Sequence, residues 1–130
     1  MITTILMTIA GLPVGKPKTA SALKKFVLVV RVPQSYGSDQ AKEVGPAWDV
    51  TLESWKTEGV YVESFAFPAP GYIVTGRDRQ VEAGLVTWGG QKVVSIIVLQ
   101  AENITQATAL AKQCPILEHG GTVEVRERPQ

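Results

Sequence analysis

Two short apolar runs constrain the fold of this chain more than any other feature of its sequence. Residues 26–32 (FVLVVRV) are rich in β-branched side chains and end at Pro33, and residues 93–99 (VVSIIVL) form the most apolar strand-like run. Their length and composition are typical of buried strands. Each run is followed by a helical pattern and then by a shorter strand-like run, so the chain contains two successive β-α-β units.

The first helical pattern carries its apolar residues at helical spacing, namely Val44, Trp48, Leu52 and Trp55. Gly59 is a suitable end for this helix. Because proline suits the first turn of a helix and breaks its interior, Pro46 predicts a regular helix over residues 46–58, preceded by a kinked turn.

The second helical pattern begins at Asn103, which together with Gln106 has the sequence of a capping box. Its predicted buried face consists of Ile104, Ala107, Ala111 and Cys114. Pro115 is expected to end this helix. The position of Cys114 on an apolar face predicts a buried, unreactive thiol that behaves as a small hydrophobe.

Four further runs predict strands, at residues 60–67, 71–75, 81–87 and 122–126. In the first of them, the alternation places Tyr61, Phe65 and Phe67 on one face and Val62 and Ala66 on the other. Gly89 and Gly90 mark a turn before the apolar run at 93–99.

Two β-α-β units separated by a hairpin region predict an α+β fold, the ferredoxin-like βαββαβ sandwich. In that arrangement one antiparallel sheet carries both helices on one face, and its other face lacks cover. We therefore expect a homodimer that joins the open sheet faces of two chains into a dimeric α+β barrel.

Composition excludes several classes of function. The chain has 13 basic and 12 acidic side chains and a net charge of +1, so it has no basic excess to bind the phosphates of a nucleic acid. Its longest apolar run, residues 2–14, is too short and broken to span a membrane. The chain has one cysteine, so we expect no intramolecular disulfide. It has no phosphate-binding or metal-ligand motif, so we expect no metal or cofactor. A lone thiol favours a cytoplasmic over an exported protein.

Residues 1–25 have two interpretations that remain open. An apolar stretch followed by the small-residue tract at 19–22 is similar to a secretory signal, although no lysine or arginine precedes it. The same residues can form an N-terminal arm. In either case the predicted domain spans residues 26–130, and the arm is expected to be dispensable for its fold.

The stretch at residues 109–126 (ALAKQCPILEHGGTVEVR) resembles the tail of the YCII-related family. The resemblance extends back through residues 26–30, 55–59 and 76–79, and it implies a dimeric ferredoxin-like α+β barrel. One branch of that family carries an Asp-Gly-Pro-Phe motif where this chain reads Ala83-Gly84-Leu85-Val86, so only the glycine is retained. Some relatives act as lyases or dehalogenases through a His–Asp pair, whereas the single histidine of this chain lies in the tail.

His119 is the candidate catalytic residue, because histidine is the one side chain with an ordinary pKa near neutrality. It lies beside a Gly-Gly pair, so a plain role in a loop is the alternative reading. Without an identified orienting partner, the loop role is favoured.

Candidate ligand-binding residues fall into two groups. Trp48 and Trp55 lie seven positions apart on one helical face, where they can line an aromatic pocket or anchor the core or dimer interface. Charged residues near the sheet and its turns can bind a polar ligand or form ion pairs; these are Arg77, Asp78, Glu124 and Arg126.

These observations favour a homodimeric small-molecule-binding or interaction domain without catalysis. The alternative is a small lyase or isomerase, similar to a dehalogenase or a lactone isomerase, with His119 as general base beside Asp78 or Glu124. The two differ in one observable, because the enzyme needs His119 in a cleft within hydrogen-bonding distance of a carboxylate.

Overall fold

The computed structural model describes residues 23–129. In chain order its elements are β1 (Lys24–Pro33), α1 (Ser38–Glu58), β2 (Tyr61–Ala66), β3 (Gly71–Thr75), β4 (Gln80–Gly84), β5 (Thr87–Trp88), β6 (Gln91–Ala101), α2 (Ile104–Ala111), a 3-10 helix (Pro115–His119) and β7 (Thr122–Glu127). The predicted N-terminal arm, residues 1–25, lies outside the described residues except for its last three, and β1 already begins at Lys24.

The strands form an antiparallel sheet and a separate hairpin. Four strands lie in the order β2-β6-β1-β7, and the short β5 also pairs with β6. Within the described residues, strands β3 and β4 pair only with each other. The predicted α+β class with antiparallel sheets and two helices is therefore confirmed, and the strand order is compatible with the ferredoxin-like arrangement.

Both helices cover the same face of the sheet. Alternate residues of β1 point into one buried cluster with residues of β6, because successive side chains of a strand point to opposite faces. Helix α1 contributes Val44 and Trp55 to this cluster, and α2 contributes Ala107, Leu110 and Ala111. The opposite face of the sheet, called here the open sheet face, is covered by neither helix.

Helix α1 begins eight residues before the predicted start and contains Pro46 in its interior. The prediction was wrong because it weighed only the local effect of proline, which removes one backbone hydrogen bond. Burial of Val44, on the turn before Pro46, offsets that loss through tertiary packing. The helix ends at Gly59 as predicted, and Gly59 adopts the left-handed conformation that glycine tolerates best.

A β-bulge in β2 overturns the predicted alternation. Tyr61 pairs with Leu99, but Glu63 rather than Val62 pairs with the next residue of β6. Since one extra residue shifts the two-residue period, Tyr61 packs against the core whereas Phe65 lies on the open sheet face.

The second helix is capped largely as predicted. The side chain of Asn103 accepts a hydrogen bond from the N–H of Gln106 at 2.9 Å, but the Gln106 side chain accepts from the N–H of Glu102 and not from that of Asn103. The helix ends at Ala111, and Pro115 starts the 3-10 helix instead of ending α2. Of the predicted buried face, Ile104 is 45% exposed because it lies at the first turn, beyond the edge of the core.

The predicted strand at residues 81–87 is divided in two. Strand β4 ends at Gly84, which has a φ of 155°, and β5 contains only Thr87 and Trp88. Strand β4 belongs to the hairpin. Strand β5 pairs with the first residues of β6, and β2 pairs with later residues of β6.

Candidate functional site

A cleft of about 610 Å³ lies between α1 and the β2–β6 side of the sheet, and it is called here the α1 cleft. One wall is the helix face that carries Val44, Trp48 and Leu52, and Ile97 of β6 lies opposite. The segment after β2 closes one side with Phe67, Pro68 and Pro70. The lining is predominantly apolar, as is usual for sites that bind small organic molecules.

A few polar groups interrupt this apolar lining. The residues with hydroxyl groups are Tyr36, Ser38, Ser64 and Ser95. The hydroxyl oxygens of Ser64 and Tyr61 lie 2.7 Å apart and share a hydrogen bond. Burial raises the pKa of Tyr36 above its ordinary value, so its phenol is neutral and able to donate a hydrogen bond.

Of residues 23–129, two charged residues line the α1 cleft, Lys92 of β6 and Asp49 of α1. Lys92 pairs with Val32, a residue of the helix-covered face, and this register turns its side chain toward α1. A register shift in the β1–β6 pairing separates Lys92 from the regular alternation of the central part of β6. Lys92 was not predicted as a site residue from the sequence. The signal that could have found it is a lone charged residue immediately before the apolar run at residues 93–99.

The two predicted tryptophans have different roles. Trp48 is half-buried and lines the α1 cleft. Trp55 is 0% exposed, does not line the cleft, and donates a hydrogen bond from Nε1 to Oε1 of Gln113 at 2.9 Å. Trp55 is thus a core anchor that ties α1 to the segment after α2.

Arg77 and Asp78 lie in the turn between β3 and β4, where both are exposed. Oδ2 of Asp78 accepts a hydrogen bond from the side chain of Gln80 at 2.9 Å. Neither residue lines the α1 cleft. The contact between Asp78 and Gln80 stabilises the hairpin turn.

Glu124 and Arg126 lie on β7 in an ion-pair cluster on the open sheet face. Arg31 donates to Glu124 at 2.8 Å, and Arg126 donates to the other carboxylate oxygen at 3.1 Å. The hydrogen bond from Arg31, followed by that from Arg126, lowers the pKa of Glu124 below its ordinary value. The guanidinium carbon of Arg31 also lies 5.8 Å from the centroid of the Trp88 ring, so this cluster borders an aromatic side chain.

His119 ends the 3-10 helix and is half-buried. It does not line the α1 cleft, and no carboxylate of residues 23–129 lies within 4.0 Å of it. The structure therefore does not bring His119 together with Asp78 or Glu124, which are the partners that general-base chemistry would need.

Cys114 is buried in the core, as its helical spacing predicted. Burial raises the pKa of its thiol from 9.0 to about 12. Since the thiolate is the nucleophilic form, this environment opposes nucleophilic chemistry at Cys114.

Within residues 23–129, no three side chains of the metal-ligating types form a group that could hold a metal ion. No helix in this part of the chain is both long and apolar enough to cross a membrane. The chain matches none of the protein-family models and none of the curated proteins with which it was compared.

Proposed function

We propose that this chain is a homodimeric binding domain that holds a small, largely apolar molecule in the α1 cleft and catalyses no reaction. The observation that carries the proposal is the cleft itself, whose volume and lining suit a small organic ligand. His119 does not line the cleft, so its position supports binding there rather than proton transfer.

Apolar surface supplies the binding free energy in this proposal. The rings of Trp48 and Phe67 and the prolines after β2 offer surface that water hydrates poorly. Burying apolar ligand surface against them stabilises a complex by roughly 25 cal/mol per Å² before the entropy lost on binding is subtracted. The few hydroxyl groups would then orient the ligand.

The open sheet face supports the dimer. Its centre is apolar, with Val27, Val29 and Ile96 on neighbouring strands. Phe65 is 52% exposed and pairs with Ile96, and Trp88 is 73% exposed. Among residues 23–129 no helix covers this face, so its exposed apolar surface is favourable to bury against a second copy. A two-fold axis would bury the same surface on both copies.

The resemblance to the YCII-related family is in keeping with this assembly, since it implies a dimeric α+β barrel. The strand order β2-β6-β1-β7 is compatible with that expectation. We propose the family relationship on the tail at residues 109–126, which carries the most specific part of the resemblance.

The test of binding uses Gly45→Leu, which adds a bulky side chain to the lining of the α1 cleft. Gly45 lines the cleft, and a Cβ added there meets no atom within 4 Å, so the new side chain extends into open space without backbone conflict. In calorimetric titrations with 2-naphthylmethanol, a neutral apolar probe, we expect the wild-type protein to bind and Gly45→Leu to lose at least about tenfold in affinity.

The matched control is Ala47→Leu, which also ends in a leucine side chain on α1 but at an exposed residue that does not line the cleft. This variant is expected to bind the probe like the wild type. Equal loss in both variants would contradict the proposed function, and so would failure of the wild type to bind both this probe and its carboxylate analogue, 2-naphthoate.

A further inference from the structure

This inference rests on the proposed function and names the class of ligand. We infer that the ligand of the α1 cleft is an amphipathic monocarboxylate, an apolar body with one carboxylate, and that Lys92 binds the carboxylate.

Lys92 lies at the end of the cleft that is next to the connection between β1 and α1. It pairs with Val32 near the end of β1, and the neighbouring Gln34 donates its N–H to the carbonyl of Gly90 at 3.2 Å. The chain then enters α1 at Ser38, which also lines the cleft. Lys92 therefore lies at the end of the sheet from which the chain enters α1, and Ser38, which lines the same cleft, offers a hydroxyl group to a bound anion.

No carboxylate among residues 23–129 neutralises Lys92. The ion pairs of this part of the chain, within 4.0 Å, are Lys24–Glu127, Arg31–Glu124 and Arg126–Glu124. All three lie at β7, away from the cleft. Lys92 is half-buried and lines the α1 cleft, and a lysine in such a position can bury its aliphatic stem while its ammonium group stays available to a ligand.

Asp49, the other charged residue of the lining, is remote from this end. It lies eleven positions after Ser38 along α1, which corresponds to roughly 16 Å at the helical rise of 1.5 Å per residue. Asp49 is also exposed, so water solvates its charge at the rim. The half-buried end of the cleft thus presents a positive charge, and the intervening surface is apolar.

A carboxylate on an apolar body complements both features. The anion would accept a charge-assisted hydrogen bond from the ammonium group, and such a bond is stronger than a hydrogen bond between neutral groups. The apolar body would lie along Trp48 and Leu52. A ligand without charge would bury the same surface but leave Lys92 unpaired.

The experiment compares two probes of nearly equal shape, 2-naphthoate and 2-naphthylmethanol, by calorimetric titration. We expect the wild-type protein to bind the carboxylate about tenfold more tightly than the alcohol, and this preference to shrink as salt is raised. Lys92→Met keeps the length of the side chain and removes its charge. It is expected to abolish the preference while leaving the affinity for the alcohol unchanged, and Lys92→Arg is expected to retain the preference.

Lys42→Met is the matched control, because Lys42 is an exposed lysine of α1 that does not line the cleft. It should leave both affinities unchanged. If Lys92→Met fails to fold by circular dichroism, the wild-type preference and the Lys92→Arg variant still decide the matter.

Binding of the two probes with equal affinity to the wild type would overturn the assignment of Lys92 and leave the binding function standing. Binding of neither probe would overturn the binding function itself. A preference for the carboxylate that survives in Lys92→Met would also contradict the role of Lys92.

Discussion

At the scale of single residues, Cys114 shows how burial alters side-chain chemistry. The side chain lies between the end of α2 and the 3-10 helix, within the same cluster as Ala111 and Ile116. Desolvation disfavours its charged form, so the folded protein retains the thiol proton to about pH 12. The unfolded chain, in contrast, releases it near pH 9.

This difference predicts a pH dependence of stability that Cys114→Ala removes. Above about pH 9 the unfolded state binds fewer protons than the folded state, so the contribution of Cys114 is complete below pH 9 and is lost as pH rises toward 12. Between about pH 8 and about pH 10, the wild type should lose roughly 1 kcal/mol relative to Cys114→Ala. Urea unfolding at both pH values measures the difference, and a pH-independent difference would contradict it.

At the scale of elements, the 3-10 helix is held against β1 by a close backbone approach at Gly121. The N–H of Gly121 donates to the carbonyl of Ile116 at 3.0 Å. A Cβ on Gly121 would lie 2.6 Å from Cγ1 of Ile116 and 2.7 Å from the carbonyl oxygen of Arg31. Strand β7 can therefore follow the 3-10 helix directly only because this position has no side chain.

Gly121→Ala is expected to lower the free energy of unfolding by about 1–3 kcal/mol, since the added methyl group forces backbone atoms apart. Gly71→Ala is the control, because a Cβ at that position meets no atom within 4 Å. Its effect should stay within about 0.5 kcal/mol. Urea denaturation of both variants measures these changes, and equal losses would show that the close approach is not the cause.

At the scale of the whole molecule, the proposed dimer depends on the open sheet face. Val29→Asp places a charge at its apolar centre, where burial in an interface would leave the carboxylate unpaired. We expect the wild type to sediment as a dimer in analytical ultracentrifugation and Val29→Asp to sediment as a monomer with the circular dichroism of the folded protein.

The control for this prediction is Val50→Asp, because Val50 is 70% exposed on α1 and lies away from the sheet. It should remain dimeric. A monomeric wild type at micromolar concentration would contradict the dimer, and dissociation of Val50→Asp would place the interface on the helices instead.

Much of the architecture follows from local periodicity. Strands β1 and β6 agree with the prediction because run length and an apolar, β-branched composition are properties of neighbouring residues. The end of α1 at Gly59 and the cap at Asn103 were likewise predicted, since a cap depends on residues within one helical turn.

The tertiary structure decided features that depend on contacts between distant segments. Pro46 is tolerated inside α1 because Val44 is buried by distant strands, and the bulge in β2 turns Phe65 outward because its register is set by β6. The α1 cleft also depends on contacts between segments that are distant in sequence. Lys92 and Trp48 are 44 positions apart in sequence, and only the pairing of β6 with β1 beneath α1 places them in one site. Sequence by itself determined where the main strands and the two helices lie, because composition and spacing are local properties; strand register, a long-range property, determined which side chains meet.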